Sequence, residues 1–250
     1  MLYDPIAIAL VCLAVVIAGL AKGGFAGIGA MSVPLMVLVL PPMQAAAILL
    51  PCLLVQDVVS VSAYRKTWNR WVVARMIPGA FVGVALGYFF SAGVPVAMVK
   101  GALGVVTLCF ALYRMWLESG HKIVAPSNSP GWVGSLFGVA LGFTSHIAHA
   151  GAPLFQIWVM PRKLPHRELA GTSAVIFAIV DWAKVPGYWA LGEFTRANLI
   201  ASALLVPIAI ASTMAGVWLV RRTNVERFYT IIYWLMVLLG GKLIGDALAT

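Results

Sequence analysis

The fold is decided by two glycine-rich stretches in an otherwise apolar chain. Residues 21–34 read AKGGFAGIGAMSVP, and residues 138–153 read GVALGFTSHIAHAGAP. Each stretch interrupts an apolar region, 5–40 or 131–160, that is too long for one membrane crossing, for which about 20 residues suffice. Because glycine and proline break helices, each region is predicted to form a broken or re-entrant helical hairpin.

The composition of the 250-residue chain places these stretches in a membrane. The chain is 62% hydrophobic and 10% charged, whereas soluble domains are about 45–50% apolar and about 25% charged. So few charged side chains exclude a soluble enzyme and a disordered chain, and the predicted partner is the lipid bilayer. The net charge of +9 comes from short cationic clusters between apolar runs, so we expect no nucleic-acid partner.

Six further apolar runs have the length of a transmembrane helix. They are residues 43–63, 71–90, 95–117, 168–191, 197–220 and 226–247. The first 21 residues contain Asp4 and neither Lys nor Arg, so we expect the first span to be kept rather than cleaved as a signal peptide. Single cysteines at positions 12, 52 and 109 indicate neither a disulfide framework nor a metal cluster, and no cofactor is predicted.

The two halves of the chain match in order. Similar residues recur at slowly increasing offsets: Gly23 with Gly142 and Pro34 with Pro153 at 119, Asp57 with Asp181 at 124, and Pro78 with Pro207 at 129. We therefore divide the chain into a first repeat, 1–120, a cytoplasmic linker, 121–130, and a second repeat, 131–250. Each repeat is predicted to hold one broken hairpin and three transmembrane helices.

Four cationic clusters orient the repeats. They comprise Arg65, Lys66, Arg70 and Arg75; Arg114 and Lys122; Arg162, Lys163 and Arg167; and Arg221, Arg222 and Arg227. Placing all four in the cytoplasm makes 43–63 and 168–191 cross in opposite directions and leaves both termini outside. The predicted fold is thus an all-α polytopic membrane protein with two inverted repeats, an architecture of secondary transporters with a site between the repeats.

The order of these motifs resembles that of the sulfite exporter TauE/SafE family. The broken helix 23–29 precedes Val33-Pro34-Leu35, a Pro-Pro turn and the long helix that ends in Tyr64-Arg65-Lys66. The second half repeats the plan with Gly151-Ala152-Pro153, Leu164-Pro165 and Gly171-Thr172-Ser173-Ala174. The resemblance implies a bacterial inner-membrane transporter of sulfur-containing anions such as sulfite or an organosulfonate. His146 and His149 depart from the family's glycine-rich pattern in the second hairpin.

The broken hairpins are the first candidates for binding such an anion. Free backbone N–H groups at helix ends attract anions, and glycine permits close approach, which favours Gly23, Gly24 and Gly142. Close helix packing is the alternative for these glycines. Lys22 is the cation nearest the first break, and it either attracts the anion or extends toward the membrane interface.

Two intramembrane carboxylates form the second group of candidates. Asp57 and Asp181 occupy equivalent positions of the repeats, and carboxylates inside a membrane are functional by default. Burial favours proton uptake near neutral pH, so a proton-relay or gating role is predicted, above all for Asp57. Lys184 lies three residues after Asp181 and is its predicted ion-pair partner, with structural stabilisation as the alternative role.

The histidines and several neutral polar residues complete the candidates. His146 and His149 are helical neighbours if the segment is a helix, and beside Ser145 they are interpreted as anion ligands, proton shuttles, metal ligands or packing residues. Gln56, Thr172 and Ser173 either donate hydrogen bonds to the substrate or link helices.

The sequence therefore predicts a secondary transporter that exports a small sulfur-containing anion by alternating access, with proton coupling left open and no enzymatic activity. Two alternatives remain. An intramembrane metal-dependent enzyme would use His146 and His149 and would need a third ligand. A passive anion channel would show flux that does not saturate.

Overall fold

The computed structural model describes residues 4–25, 27–91, 93, 95–119, 129–220 and 226–249, and all regular structure among them is helical. Six helices among these residues are long and apolar enough to cross a membrane, which confirms the predicted all-α polytopic class. They lie within Pro5–Lys22, Pro42–Tyr64, Arg70–Ser91, Val96–Trp116, His166–Ala190 and Arg196–Leu219. Each of the six long runs predicted from the sequence is a helix whose ends lie within two residues of the predicted limits. Most of the predicted linker, 121–128, lies outside the described residues.

Ten α-helices follow one another in the part of the chain that the structure describes. They are α1 (Pro5–Lys22), α2 (Ser32–Val37), α3 (Pro42–Tyr64), α4 (Arg70–Ser91), α5 (Val96–Glu118), α6 (Gly131–Ala148), α7 (Ala152–Val159), α8 (His166–Ala190), α9 (Arg196–Val220) and α10 (Glu226–Leu248) among the described residues. Short 3₁₀ turns, Ile28–Met31 and Met160–Arg162, precede α2 and follow α7.

The first hairpin is broken by glycines in backbone conformations that other residues rarely adopt. Helix α1 ends at Lys22, and Gly24 and Gly27 have φ values of +129° and +105°. These angles cost glycine little because it lacks a Cβ atom. The chain then turns back through the 3₁₀ turn into α2, so that a long limb is followed by a short one.

The second hairpin is broken by a histidine. His149 caps α6 in the left-handed conformation, with φ of 49°, and its N–H donates to the carbonyl of Ser145. The N–H of Ala150 donates to the carbonyl of Thr144, which completes the helix end. Because α6 ends at Ala148, His146 and His149 do not share a helix face, and the expectation that they are helical neighbours is wrong.

Glycines bring helix backbones into direct contact. A Cβ atom on Gly79 or Gly83 of α4 would overlap backbone carbonyls of α6, and one on Gly138 or Gly142 would overlap carbonyls of α4. Helices α1 and α9 meet in the same way at Gly23 and Gly216, and α5 and α10 meet at Gly104 and Gly240. Small residues permit such close packing of membrane helices.

The helix pairs follow a pattern. Each helix of the first half, α1 to α5, has an equivalent in the second half, α6 to α10. When every helix is replaced by its equivalent, the α4–α6 pair becomes α9–α1 and the α3–α9 pair becomes α8–α4. All four of these helix pairs are in contact. The α3–α8 and α5–α10 pairs convert into themselves and are also in contact. Two repeats related by a two-fold axis would produce this pattern, and α1, α3, α6 and α8 surround the centre where candidate side chains meet.

Candidate functional site

Four charged side chains form a buried chain of ion pairs at the centre of the protein. Lys22 Nζ lies 2.5 Å from Asp57 Oδ1 and 2.6 Å from Asp181 Oδ2. Asp181 Oδ1 lies 2.5 Å from Lys184 Nζ, which confirms the ion pair predicted from their spacing. Asp57 is supplied by α3, Lys22 by α1, and Asp181 and Lys184 by α8, so the chain of ion pairs joins the two halves of the sequence.

The ion-pair chain continues into the second break. Lys184 Nζ lies 2.5 Å from His149 Nδ1 and 3.2 Å from both Ser145 Oγ and the Ser145 carbonyl oxygen. His149 Nε2 lies 3.0 Å from the carbonyl oxygen of Ala46, which only accepts hydrogen bonds. Nε2 therefore carries the proton and Nδ1 accepts from the lysine, so His149 is neutral and both of its ring nitrogens are engaged.

The charges of this network balance. Two ammonium groups face two carboxylates, and their side chains are buried except for Lys22, which is 11% exposed. A buried ion that loses its partner is strongly destabilising, so the four groups depend on one another. The formal charges of the network therefore cancel.

A pair of tyrosines, which the sequence interpretation missed, supports the ends of both broken helices. Tyr64 donates to the carbonyl oxygen of Gly23 at 2.7 Å, and Tyr188 donates to that of His146 at 2.8 Å. Both tyrosines follow an aspartate of the network by seven residues. Helix ends leave carbonyls without intrahelical partners, and each hydroxyl satisfies one of them.

The tyrosine bonds also relate the lysines of the two halves. Since Gly23 and His146 accept equivalent bonds, Lys22 corresponds to Ser145, one residue earlier in each case. Lys184 follows Asp181 by three residues, as Ser60 follows Asp57. Each half thus carries one lysine and one serine beside its aspartate, but their positions are exchanged. In this alignment of the two repeats Gly23 is equivalent to His146. The sequence predicted Gly142, four residues earlier, as its equivalent.

A cavity of about 70 Å³ lies against the network, between the two breaks. The first hairpin lines it with Gly27, Gly29 and Ser32, and the second with Ser145, His149, Ala152 and Gln156. Lys22, Ser173 and Asp181 complete its polar side, while Leu49, Leu53, Phe155 and Phe177 form an apolar side. Its volume exceeds the roughly 10–15 Å³ that one water molecule needs, so a small ion fits.

A vestibule of about 140 Å³ adjoins this cavity. The two share Ala21, Lys22, Gln156 and Ser173, so Lys22 faces both. The vestibule is further lined by Arg114, which belongs to one of the cationic clusters, and by His166, Gly24, Met160, Leu169 and Ala170.

The opposite end of the network is covered by aromatic rings. Tyr188 stacks on His149 with ring centroids 6.1 Å apart and on Phe194 with centroids 6.2 Å apart. The bond from His149 to the Ala46 carbonyl ties this layer to α3. The cavity therefore adjoins the vestibule on the side of Lys22, and the rings cover the side of the network at His149.

The profile of one protein family, Sulfite exporter TauE/SafE, matches residues 11–243. The chain belongs to this family. It is therefore a multi-pass membrane protein of a family of transporters, and the resemblance stated from the motifs is confirmed. No curated protein and no solved structure matches the chain.

In this TauE/SafE protein, many of the predicted site residues meet. The network contains Lys22, Asp57, Asp181, Lys184, Ser145 and His149. Ser173 lines the cavity and the vestibule, and Gly24 lines the vestibule.

Other predicted residues lie elsewhere. Gly23 and Gly142 sit in the α1–α9 and α4–α6 contacts, which matches their helix-packing alternative. Gln56 Nε2 donates to the carbonyl of Val15 at 3.1 Å and so links α3 to α1. Thr172 accepts a bond of 2.9 Å from the N–H of Asn69 and so holds the start of α4.

His146 lies apart from the ion-pair chain. Its ring is held between Gly87 of α4 and Gly187 of α8 and lines a separate groove of about 390 Å³ with Tyr88. The two histidine rings thus have different surroundings, and the described residues contain no group of three or more His, Cys, Asp and Glu side chains placed to hold a metal ion.

Two polar side chains that line the cavity were not predicted from the sequence. Ser32 Oγ and Gln156 Oε1 are buried and have no hydrogen-bond partner among the described residues. Each lies in a short limb of a hairpin, as a single polar residue among apolar ones. Nothing in the sequence distinguishes them from Gln56, so only the fold identifies their position.

Proposed function

We propose that this protein exports a small sulfur-containing anion, such as sulfite or an organosulfonate, across the bacterial inner membrane by alternating access. The observation that carries the proposal is the cavity between the two hairpin breaks, which touches the buried network and adjoins a vestibule. In this proposal the repeats are inverted, both termini lie outside the cytoplasm, and the vestibule faces the cytoplasm. The described conformation is then the one that takes up substrate from inside.

The vestibule favours anions over cations. Arg114, His166 and Lys22 line it, and no carboxylate is among its described lining residues. A basic funnel with apolar walls raises the local concentration of anions. An anion that passes the vestibule meets Lys22 first, because this ammonium group faces both spaces.

Binding at Lys22 requires a change in the network. Lys22 is already held by two carboxylates, and adding an anion to a balanced buried network leaves one uncompensated negative charge. Asp57 Oδ2 is buried without a hydrogen-bond partner among the described residues, so a proton is best added there. Protonated Asp57 releases Lys22 to the anion, and the anion and the proton move together without net charge.

The second half of the cycle opens the covered end. The bond from His149 to the Ala46 carbonyl and the ring stack of His149, Tyr188 and Phe194 separate while the vestibule closes. The repeats then exchange their arrangements, as inverted repeats allow. Substrate and proton leave on the outside, and the empty network returns as a neutral unit.

The purified protein in liposomes tests this proposal. We expect saturable sulfite efflux and exchange of labelled for unlabelled sulfite across the membrane. Asp57→Asn, which resembles a permanently protonated aspartate, is expected to keep exchange but to lose net efflux driven by a pH gradient. Asp246→Asn, in an exposed pair with Lys242, is the matched control and is expected to keep both.

Three results would count against the proposal. Flux that never saturates would identify a passive channel. Unchanged net efflux with an unchanged pH profile in Asp57→Asn would remove the proton role of Asp57. Failure of sulfite and of organosulfonates to raise the thermal stability of the purified protein would remove the substrate class, since a ligand of the folded state must stabilise it.

A further inference from the structure

The cavity contains two polar groups that lack partners, one from each break. Ser32 Oγ, at the start of α2, and Gln156 Oε1, on α7, are both at least 98% buried and have no hydrogen-bond partner among the described residues. Both side chains line the cavity beside Lys22. Buried polar groups are normally paired, so two orphans facing one cavity indicate a ligand that pairs them.

The two orphan groups require different hydrogen-bonding groups on a ligand. The Ser32 hydroxyl both donates and accepts, so a sulfonate or sulfite oxygen satisfies it. Gln156 Oε1 only accepts, so an anion oxygen without a proton cannot satisfy it. The Gln156 side chain lies over Gly27, where a Cβ atom would overlap it, so the amide is held at the first break.

The network limits the charge of the ligand. Lys22 and Asp181 are the charged side chains among the residues described as lining the cavity, and the lysines and aspartates of the whole network cancel. One proton on Asp57 compensates one negative charge. A second charge on the ligand would remain buried without a counterion, which strongly disfavours its binding.

We propose that the cavity selects a monoanion that carries its own hydrogen-bond donor, with the anionic group on Lys22 and Ser32 and the donor on Gln156. This inference rests on the proposed function and narrows its substrate class. Hydrogensulfite and hydroxylated sulfonates satisfy both conditions. Dianions such as sulfate fail the first condition, and simple alkyl sulfonates fail the second.

Four probes separate charge from donor in thermal-stability titrations of the purified full-length protein. Methanesulfonate and sulfate are tetrahedral and similar in size but differ in charge. Ethanesulfonate and 2-hydroxyethanesulfonate share charge and carbon frame but differ in one hydroxyl donor. We expect sulfate to bind at least about a hundredfold more weakly than methanesulfonate. We expect the hydroxyl to tighten binding about tenfold, the scale of one buried hydrogen bond.

Gln156→Leu tests the donor directly. In this variant 2-hydroxyethanesulfonate and ethanesulfonate are expected to bind equally, because the acceptor is gone. Gln56→Leu is the matched control, since Gln56 is also a buried glutamine with an unpartnered Oε1 but bonds α1 and does not line the cavity. It is expected to keep the tenfold preference.

Ser32→Ala tests the anion side of the cavity. We expect it to weaken the binding of all three monoanionic probes about equally and to leave the ligand-free protein as stable as before, because the hydroxyl has no hydrogen-bond partner to lose among the described residues. Ser202→Ala is the matched control, since the Ser202 hydroxyl donates to the Ile48 carbonyl at 2.8 Å. It is expected to lower stability without changing affinity.

The outcomes distinguish failure of this inference from failure of the proposed transport function on which it rests. Sulfate binding as tightly as methanesulfonate, or a hydroxyl preference that persists in Gln156→Leu, overturns the inference and leaves sulfur-anion transport intact. Stabilisation by none of the four probes and none by sulfite overturns both. The expected pattern in Gln156→Leu and Ser32→Ala, together with the expected behaviour of their two control variants, supports the inference.

Discussion

Lys22 and Lys184 carry the same charge in the same network, but their surroundings differ. Lys22 is bound by two carboxylates, is 11% exposed and faces both the cavity and the vestibule. Lys184 is fully buried, lines neither space, and is bound by one carboxylate, His149 and Ser145. The comparison shows that the two lysines of one ion-pair chain have different surroundings and can therefore have different roles. At one end a charge is accessible to an anion, and at the other a charge fixes a broken helix.

The exchange of lysine and serine between the halves explains this difference. The first half places its lysine on the hairpin helix α1, which ends at the cavity, and the second places it on α8. The equivalent positions hold Ser145 and Ser60, whose hydroxyls contact Lys184 and the Asp57 carbonyl. Two similar repeats thereby give two dissimilar lysine sites. We expect substitutions at the two sites to differ in their effects on thermal stability and on anion binding.

The largest expected effect is that of Lys184→Met. It leaves Asp181 without one of its two lysines and leaves His149 Nδ1 and Ser145 without a donor, in a place that the described cavities do not reach. Removing one partner of a buried pair costs about 3–5 kcal/mol, so we expect a large fall in thermal stability. The measurement is the midpoint of thermal unfolding in detergent.

Two variants calibrate this loss. Lys22→Met is expected to cost less, because cavity water and a proton on Asp57 compensate the carboxylates, but to abolish anion binding. Lys242→Met removes an exposed i,i+4 pair with Asp246 and is expected to cost less than about 0.5 kcal/mol. Equal losses for Lys22→Met and Lys184→Met would contradict the proposed division of roles.

An exchange variant tests the relation between the halves more directly. Lys22→Ser alone leaves both aspartates short of a cation. Adding Ser60→Lys places an ammonium group three residues after Asp57, as Lys184 follows Asp181. We expect the double variant to regain most of the lost thermal stability but no transport, because the new lysine no longer lines the cavity.

The control for this exchange is Lys22→Ser with Ser202→Lys. Ser202 is as buried as Ser60, but its hydroxyl contacts the Ile48 carbonyl rather than the network. A lysine there lacks a counterion, so further loss of stability is expected. Recovery of transport in the Ser60→Lys double variant would show that the position of the lysine is unimportant. It would contradict the different roles proposed for the two lysine positions.

The sequence predicts the long helices well and the centre only in part. Runs of Leu, Val and Ile locate six long helices to within two residues because a bilayer demands a fixed apolar length. The Asp181–Lys184 pair is also readable, since three residues separate neighbours on one helix face. The contacts of Lys22 with Asp57 and Asp181 join α1, α3 and α8, and no local spacing encodes them.

The remaining site residues depend on backbone detail. His149 adopts a left-handed backbone conformation, which at helix ends is usually adopted by glycine. The end of α6 before His149, which directs its side chain away from that of His146, could therefore not be predicted from the sequence. Ser32 and Gln156 are single polar residues in apolar segments, and their importance appears only when the two breaks meet. The tyrosines were accessible in principle, since Tyr64 and Tyr188 share the offset of 124 with Asp57 and Asp181.

Apart from the exposed Lys242→Met control, the smallest expected effect concerns these two tyrosines. Tyr64→Phe and Tyr188→Phe each remove one donor from a helix-end carbonyl, and we expect similar losses of about 1–3 kcal/mol in thermal-stability measurements. Their effects on access differ because Tyr188 belongs to the ring stack over the covered end and Tyr64 does not. In a background without the three native cysteines, Tyr188→Phe is expected to speed the reaction of the thiol introduced by Ala46→Cys with an impermeant thiol reagent added outside. Tyr64→Phe serves as the control of equal stability cost, and an equal acceleration there would mean that Tyr188 acts only through stability and does not hold the covered end closed.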